Sequence, residues 1–161
     1  MRPLPLTLIL STVLIGCSIF GSDETPDEMS PAELLSAPET VVIDGQELAL
    51  RTYLWRDFMP VSPPDGRSLT AIFWVFSADS SVLPDGLSAD AAWLVNGDKV
   101  WDTSLDEQRP GEQLPYQLER VARNGPKWSP GIKVEAVIRL REANGTTHLL
   151  RASDQSIERT D

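Results

Sequence analysis

Few side chains in this sequence could take part in chemistry. The 161 residues include one histidine, one cysteine, and 24 aspartates and glutamates. His148 falls inside a predicted strand between Thr147 and Leu149, where no serine on a sharp turn accompanies it, so a Ser-His-Asp triad is not predicted. One histidine and one cysteine are also too few to hold zinc or copper within a single chain. We therefore expect no metal site and no cofactor.

The carboxylates offer two further possibilities. Asp79, Asp85 and Asp90 share a predicted loop, but their spacing does not match the alternating oxygen ligands of an EF-hand, so we interpret them as solvated acids. A facing pair of carboxylates could hydrolyse a glycosidic bond, yet no particular pair stands out. A carboxylate-dependent hydrolase is therefore the weakest of the alternatives, and we expect a protein that is not an enzyme.

Two short stretches place a tryptophan beside charged residues and prolines. They are Trp55-Arg56-Asp57 and Lys127-Trp128. Prolines stiffen loops, and Trp and Arg are enriched at binding hot spots, so these five residues form the candidate binding surface. In the alternative interpretation, each tryptophan plugs the end of a sandwich and Arg56 pairs with Asp57. A tryptophan at a strand end could also stack on a sugar.

The elements that would position these residues are strands. Gly and Asn tolerate the positive φ of tight turns, so six Asp-Gly or Asn-Gly dipeptides predict chain reversals. They are Asp44-Gly45, Asp65-Gly66, Asp85-Gly86, Asn96-Gly97, Asn124-Gly125 and Asn144-Gly145. Between them lie runs of β-branched and aromatic residues, which predict seven or eight strands. The runs cover residues 40–43, 47–55, 68–76, 91–95, 99–103, 116–122, 133–140 and 147–152.

The strand pattern predicts an all-β domain. Residues 133–141 alternate between apolar and polar, as in an antiparallel strand with one wet face. We expect an antiparallel β-sandwich, most plausibly immunoglobulin-like, with a transthyretin-like sandwich as the runner-up. Trp93 resembles the core tryptophan of immunoglobulin domains, but the paired cysteines of that family are missing, so the likeness is one of architecture.

One predicted strand is apolar on both faces. If one face of residues 68–76 meets the core, then Ile72, Trp74 and Phe76 lie on the other. An Asn96-Gly97 hairpin would pair Trp93 with Val100 and Ala92 with Trp101, and we assign Trp101 and Trp74 to one outer surface. Loops or the N-terminal segment could cover this second face, or a partner could bind it.

The N-terminal residues predict where in the cell the protein is located. A basic start precedes the twelve mostly apolar residues Leu4–Ile15. This run is too short for a spanning helix, which needs about 20 residues. Leu14-Ile15-Gly16-Cys17 resembles the lipobox of bacterial lipoproteins, which implies that residues 1–16 are a signal peptide and that the Cys17 thiol carries lipid. By the same resemblance, Ser18 in place of Asp favours the outer membrane.

Residues 17–38 are rich in acids, serine and proline, and we interpret them as the lipidated cysteine and a flexible acidic tether. Ser30 could cap a short helix that begins at Pro31. The β-sandwich domain is expected at residues 39–161. Loss of residues 1–16 leaves 13 basic residues against 24 acidic ones, a net charge of −11, so nucleic acid is not an expected partner.

These observations predict a non-enzymatic lipoprotein of the cell envelope, anchored to the membrane through Cys17. Its domain would act as a structural module or bind an envelope protein. A module that binds envelope glycans is the first alternative, and a carboxylate-dependent hydrolase is the second.

We predict that Cys17→Ser abolishes lipid attachment, because Cys17 is the only thiol in the chain. Metabolic labelling with a fatty-acid analogue should mark the unchanged protein and the control Ser22→Ala, but not Cys17→Ser. Continued labelling of Cys17→Ser would refute the lipoprotein interpretation.

Overall fold

The computed structural model describes residues 29–106 and 114–161 of the protein. These residues form one short helix and eight strands. The helix is α1 (Pro31–Leu35), and the strands are β1 (Thr40–Ile43), β2 (Gln46–Asp57), β3 (Leu69–Ser77), β4 (Ser88–Asn96), β5 (Lys99–Ser104), β6 (Gln117–Gly125), β7 (Lys133–Arg141) and β8 (Thr147–Thr160). Within the two described ranges, no helix has the length and apolar character to cross a membrane.

All eight strands belong to one curled sheet. Their order is β5-β4-β7-β8-β2-β3-β6, and β1 pairs with β2 outside this path. The prediction of an all-β domain with seven or eight strands is confirmed. The prediction of an antiparallel sandwich is wrong, because β2 and β8 run parallel and join what would have been two separate sheets. The immunoglobulin-like architecture is not confirmed.

Strand β8 makes the sheet continuous because it pairs with two different neighbours. Its first part, from Thr147 to Ser156, runs antiparallel to β7. Its last part, Ile157–Thr160, runs parallel to β2. Within the first part, Asp154 has a φ of 55°, and its backbone N–H donates to the Glu135 side chain at 3.1 Å. This left-handed residue lies at the shift of register between β7 and β8, three residues before the pairing with β2 begins.

The concave side of the sheet holds the main core, and the two end strands, β5 and β6, meet across it. Trp101 of β5 packs against this core, and its ring lies against Gly125 of β6. A Cβ atom on Gly125 would lie 2.9 Å from that ring, so only glycine allows this approach. Asn124-Gly125 therefore belongs to an irregular strand end, where β6 pairs with Leu69, and is not the predicted chain reversal.

The predicted register of the β4–β5 hairpin is wrong by two residues. Asn96 pairs with Lys99, so Gly97 and Asp98 form the loop and Trp93 lies opposite Asp102. A shift of two residues preserves the faces of both strands. Trp101 lies opposite Leu94, on the core side. The assignment of Trp101 and Trp74 to one outer surface is therefore wrong.

Helix α1 covers the outer face of β4 and β7. Ser30 caps it in a capping box with Glu33, and Pro31 is its first residue, which confirms the helix predicted inside the tether. Leu34 is fully buried in a second apolar cluster with Trp93. The predicted boundary at residue 39 thus falls inside the packed structure. The predicted signal peptide, Cys17 and the rest of the tether lie outside the described residues.

We predict that Leu34→Ala lowers the free energy of unfolding by about 2–5 kcal/mol, because it leaves a cavity between α1 and β4. The adjacent Leu35 is 42% exposed, so Leu35→Ala should change stability by less than about 1 kcal/mol. Urea denaturation of the two variants measures the difference. Equal stability of the two variants would show that α1 contributes nothing to the fold.

Candidate binding surface

The outer side of β2 and β3 carries a row of large side chains, which we call the aromatic face. It consists of Arg51, Tyr53, Trp55, Ile72, Trp74 and Phe76. Strand side chains alternate between the two faces of a sheet, so these residues share one side while Leu54 and Phe73 point into the core. The second apolar face predicted for β3 is thus present, and β2 extends it.

The rings of the aromatic face are held by their neighbours. Tyr53 and Trp55 stack with their centroids 5.1 Å apart at an angle of 25°. The Arg51 guanidinium lies 5.2 Å from the Trp74 ring centroid and 5.8 Å from that of Phe76. Such cation–π contacts restrict the movement of these rings.

A carboxylate lies along each long edge of this face. On the β6 side, Glu119 pairs with Trp74 and accepts a hydrogen bond of 2.6 Å from its indole N–H. On the β8 side, Glu158 lies opposite Trp55 and is exposed. Tyr53 is 41% exposed, and the other three rings and Ile72 are half-buried. The face is therefore apolar along its middle and acidic at both edges.

Of the five residues predicted to form the binding surface, only Trp55 belongs to the aromatic face. Its neighbour Arg56 points to the opposite side of β2 and is 4% exposed. Asp57 pairs with Arg67 at 3.3 Å, so the predicted pairing of Arg56 with Asp57 is wrong. Sequence neighbours on a strand face opposite ways, which is why the cluster separates.

Arg56 binds backbone carbonyls from two loops. Its Nε donates to Arg67 O at 2.9 Å, and Nη1 donates to both Lys127 O and Trp128 O at 3.2 Å. Nη2 donates to Asp65 O. A planar guanidinium can satisfy several acceptors at once, so this one side chain holds the β2–β3 loop against the β6–β7 loop.

Aromatic packing completes this clamp. Two guanidinium groups lie over the Phe58 ring, that of Arg56 at 5.0 Å and that of Arg159 at 4.0 Å from the ring centroid. Gly66 also lies against the Phe58 ring. The φ of Gly66 is +74°, and a Cβ atom on this residue would approach the Phe58 ring to 2.6 Å. Glycine is therefore required both by the backbone conformation and by the contact.

The second predicted stretch belongs to the same end of the molecule. Lys127 pairs with Asp65 at 2.6 Å, and this hydrogen bond lowers the pKa of the Asp65 carboxyl from its ordinary value. Trp128 is half-buried and packs against the main core. Trp128 thus plugs the end of the sheet, as the alternative interpretation proposed, while Trp55 lies on the aromatic face.

The other titratable candidates are engaged separately. The His148 ring nitrogen lies 2.6 Å from Glu142 Oε1. Ser77 and Ser81 lower the pKa of Asp79 to about 2 through hydrogen bonds. Burial raises the pKa of Asp90, but hydrogen bonds from Arg139 and Arg141 outweigh it and hold the pKa below its ordinary value. No group of three or more His, Cys, Asp or Glu side chains within residues 29–106 and 114–161 could hold a metal ion.

Comparison of the chain with protein families, with curated proteins and with solved structures gave no significant match. The function is therefore inferred from the geometry and the sequence. Sequence reasoning overlooked Arg51 and Tyr53, although both share the parity of Trp55 along β2. It also overlooked Glu119 and Glu158, because their position depends on which strands are neighbours.

We predict that Arg56→Ala lowers the free energy of unfolding by about 3 kcal/mol or more, because four backbone carbonyls lose their donor and the packing of a buried side chain is lost. Arg123 is exposed, so Arg123→Ala is the matched control and should change stability by less than about 1 kcal/mol. Thermal and urea denaturation measure both variants. If Arg56→Ala is as stable as the control, the clamp is not structural.

Proposed function

We propose that this protein is a lipid-anchored module of the cell envelope that binds a protein partner through its aromatic face. The anchor at Cys17 rests on the resemblance of residues 14–17 to a lipobox, and the preference for the outer membrane rests on Ser18 in place of Asp. The binding role rests on the aromatic face itself. The proposed activity is association and not catalysis.

A single observation carries the binding role: four rings and an isoleucine line the solvent side of β2 and β3, while helix α1 packs on β4 and β8. Monomeric proteins rarely expose contiguous apolar patches of this kind without using them. Trp and Tyr are also enriched among the residues that contribute most to protein binding. The preorganised rings would lose little side-chain entropy on association.

A glycan ligand is the second candidate, since exposed tryptophan and tyrosine rings can stack on sugars. Stacking requires a free ring face. Tyr53 covers one face of the Trp55 ring, and the Arg51 guanidinium lies over the Trp74 ring. The rings thus offer edges and partial faces, which suit the side chains of a protein better than the flat face of a sugar.

We predict that a photo-crosslinking amino acid at position 53 captures a protein in intact cells. Tyr53 lies in the middle of the face, and Val61, which is 82% exposed in the β2–β3 loop, supplies the control position. The adduct should form from position 53 and not from position 61, and Trp55→Ala should diminish it.

Peptide mass spectrometry and glycosidase digestion of the purified adduct distinguish the candidates. Peptides of a second polypeptide crosslinked at position 53 support a protein partner. Loss of the adduct on glycosidase digestion would replace the proposal with the glycan-binding alternative. Equal capture from both positions would show that the aromatic face is not a specific contact surface.

A further inference from the structure

We infer that the partner presents an amphipathic helix with basic flanks to the aromatic face. This inference rests on the proposed function and names the chemistry of the partner. It follows from three properties of the described residues: how this sheet is covered elsewhere, the length of the aromatic face, and the charges along its edges.

The first property is the way the other half of the same sheet is covered. The outer side of β4 and β7 presents Trp93, Val95 and Val137, and Leu34 of helix α1 and Ala37, which follows the helix, pack on them. The outer side of β2 and β3 presents a comparable aromatic and aliphatic surface. Because α1 packs on β4 and β8, it leaves the aromatic face open to another helix.

The second property is size. The aromatic face extends from Phe76 to Trp55, which lies opposite Thr70 of β3. The distance along β3 from Thr70 to Phe76 is about 20 Å at roughly 3.3 Å per strand residue. A helix rises about 1.5 Å per residue, so about 13 residues would cover that length. An apolar stripe at positions i, i+3, i+4 and i+7 would then follow the row of rings.

The third property is charge. Glu119 lies along one edge of the face and Glu158 along the other, and the chain as a whole has a net charge of −10. A helix laid between these edges would meet a carboxylate on each flank, so Lys or Arg on both sides of its apolar stripe would be complementary. Arg51 is the exception, and its charge already lies over the rings of Trp74 and Phe76. The acids at the edges also disfavour an anionic bilayer as the occupant.

The test uses the full chain in nanodiscs of zwitterionic lipid and a labelled synthetic peptide of 18 residues. The peptide carries Leu at the stripe positions and Lys on both flanks. A second peptide replaces every Lys with Glu, and a third shuffles the Leu positions. Fluorescence anisotropy, corrected with empty nanodiscs, gives each dissociation constant. We expect the basic amphipathic peptide to bind at least tenfold more tightly than either control peptide.

Variants locate the binding. Trp55→Ala should weaken binding of the basic peptide at least tenfold, while Val61→Ala should leave it unchanged. Glu158→Gln and Glu119→Gln should each weaken it about threefold, and Asp98→Asn, in the exposed β4–β5 turn, should not. Raised salt should reduce the affinity. An equal loss with Asp98→Asn would reveal general charge attraction and overturn the inference, as would undiminished binding by Trp55→Ala.

The outcome is separable from that of the proposed function. If position 53 captures a protein in cells but the basic peptide does not bind, the partner is not a basic helix. The proposal that the aromatic face binds a protein partner is then retained. If the chain instead binds anionic vesicles through Trp55 without its lipid anchor, the aromatic face is a membrane contact and the inference is wrong.

Discussion

The pairing of β8 with both β7 and β2 is the constraint on which the rest of the structure depends. Its first part completes one half of the sheet, and Ile157–Thr160 begin the other half in parallel with β2. A strand shared in this way forces the sheet to curl around the core. The outer sides of the two halves become separate surfaces, one under α1 and one that is the aromatic face.

The Arg56 clamp fixes the end of β2 where the shared pairing begins. Arg56 is a buried cation whose hydrogen-bond partners are backbone carbonyls, so carbonyl dipoles offset much of its desolvation. The same contacts hold the β2–β3 and β6–β7 loops at one end of the sheet. Because Trp55 precedes Arg56 on the same strand, a fixed Arg56 also fixes the backbone from which Trp55 projects. The buried clamp thus supports the exposed ring.

Local patterns were sufficient to predict the strands and α1, but not the pairing that turns them into one sheet. Alternation in residues 133–141 and the Ser30-Pro31 start describe elements whose apolar positions repeat regularly. Residues 153–156 read Ser-Asp-Gln-Ser, a composition typical of turns, so the second part of β8 was not predicted. Without this second part of β8, the parallel pairing with β2 could not be predicted, and a sandwich of two sheets was expected. The two-residue error at Gly97 arose because Asn-Gly is a stronger turn signal than Gly-Asp.

The candidate surface was predicted only in part, for a physical reason that also bears on its use. Adjacent residues suggested a cluster around Trp55 and Arg56, whereas the strand places the first outside and the second inside. The residues of the aromatic face share one side of the sheet because they occupy alternate positions along β2 and β3. The acidic edges of this face come from strands that are distant in sequence. One half of the sheet has its outer apolar side covered by the chain's own helix, with Leu34 fully buried. The other half keeps comparable rings partly in contact with water within the described residues, and the proposed binding role depends on this asymmetry.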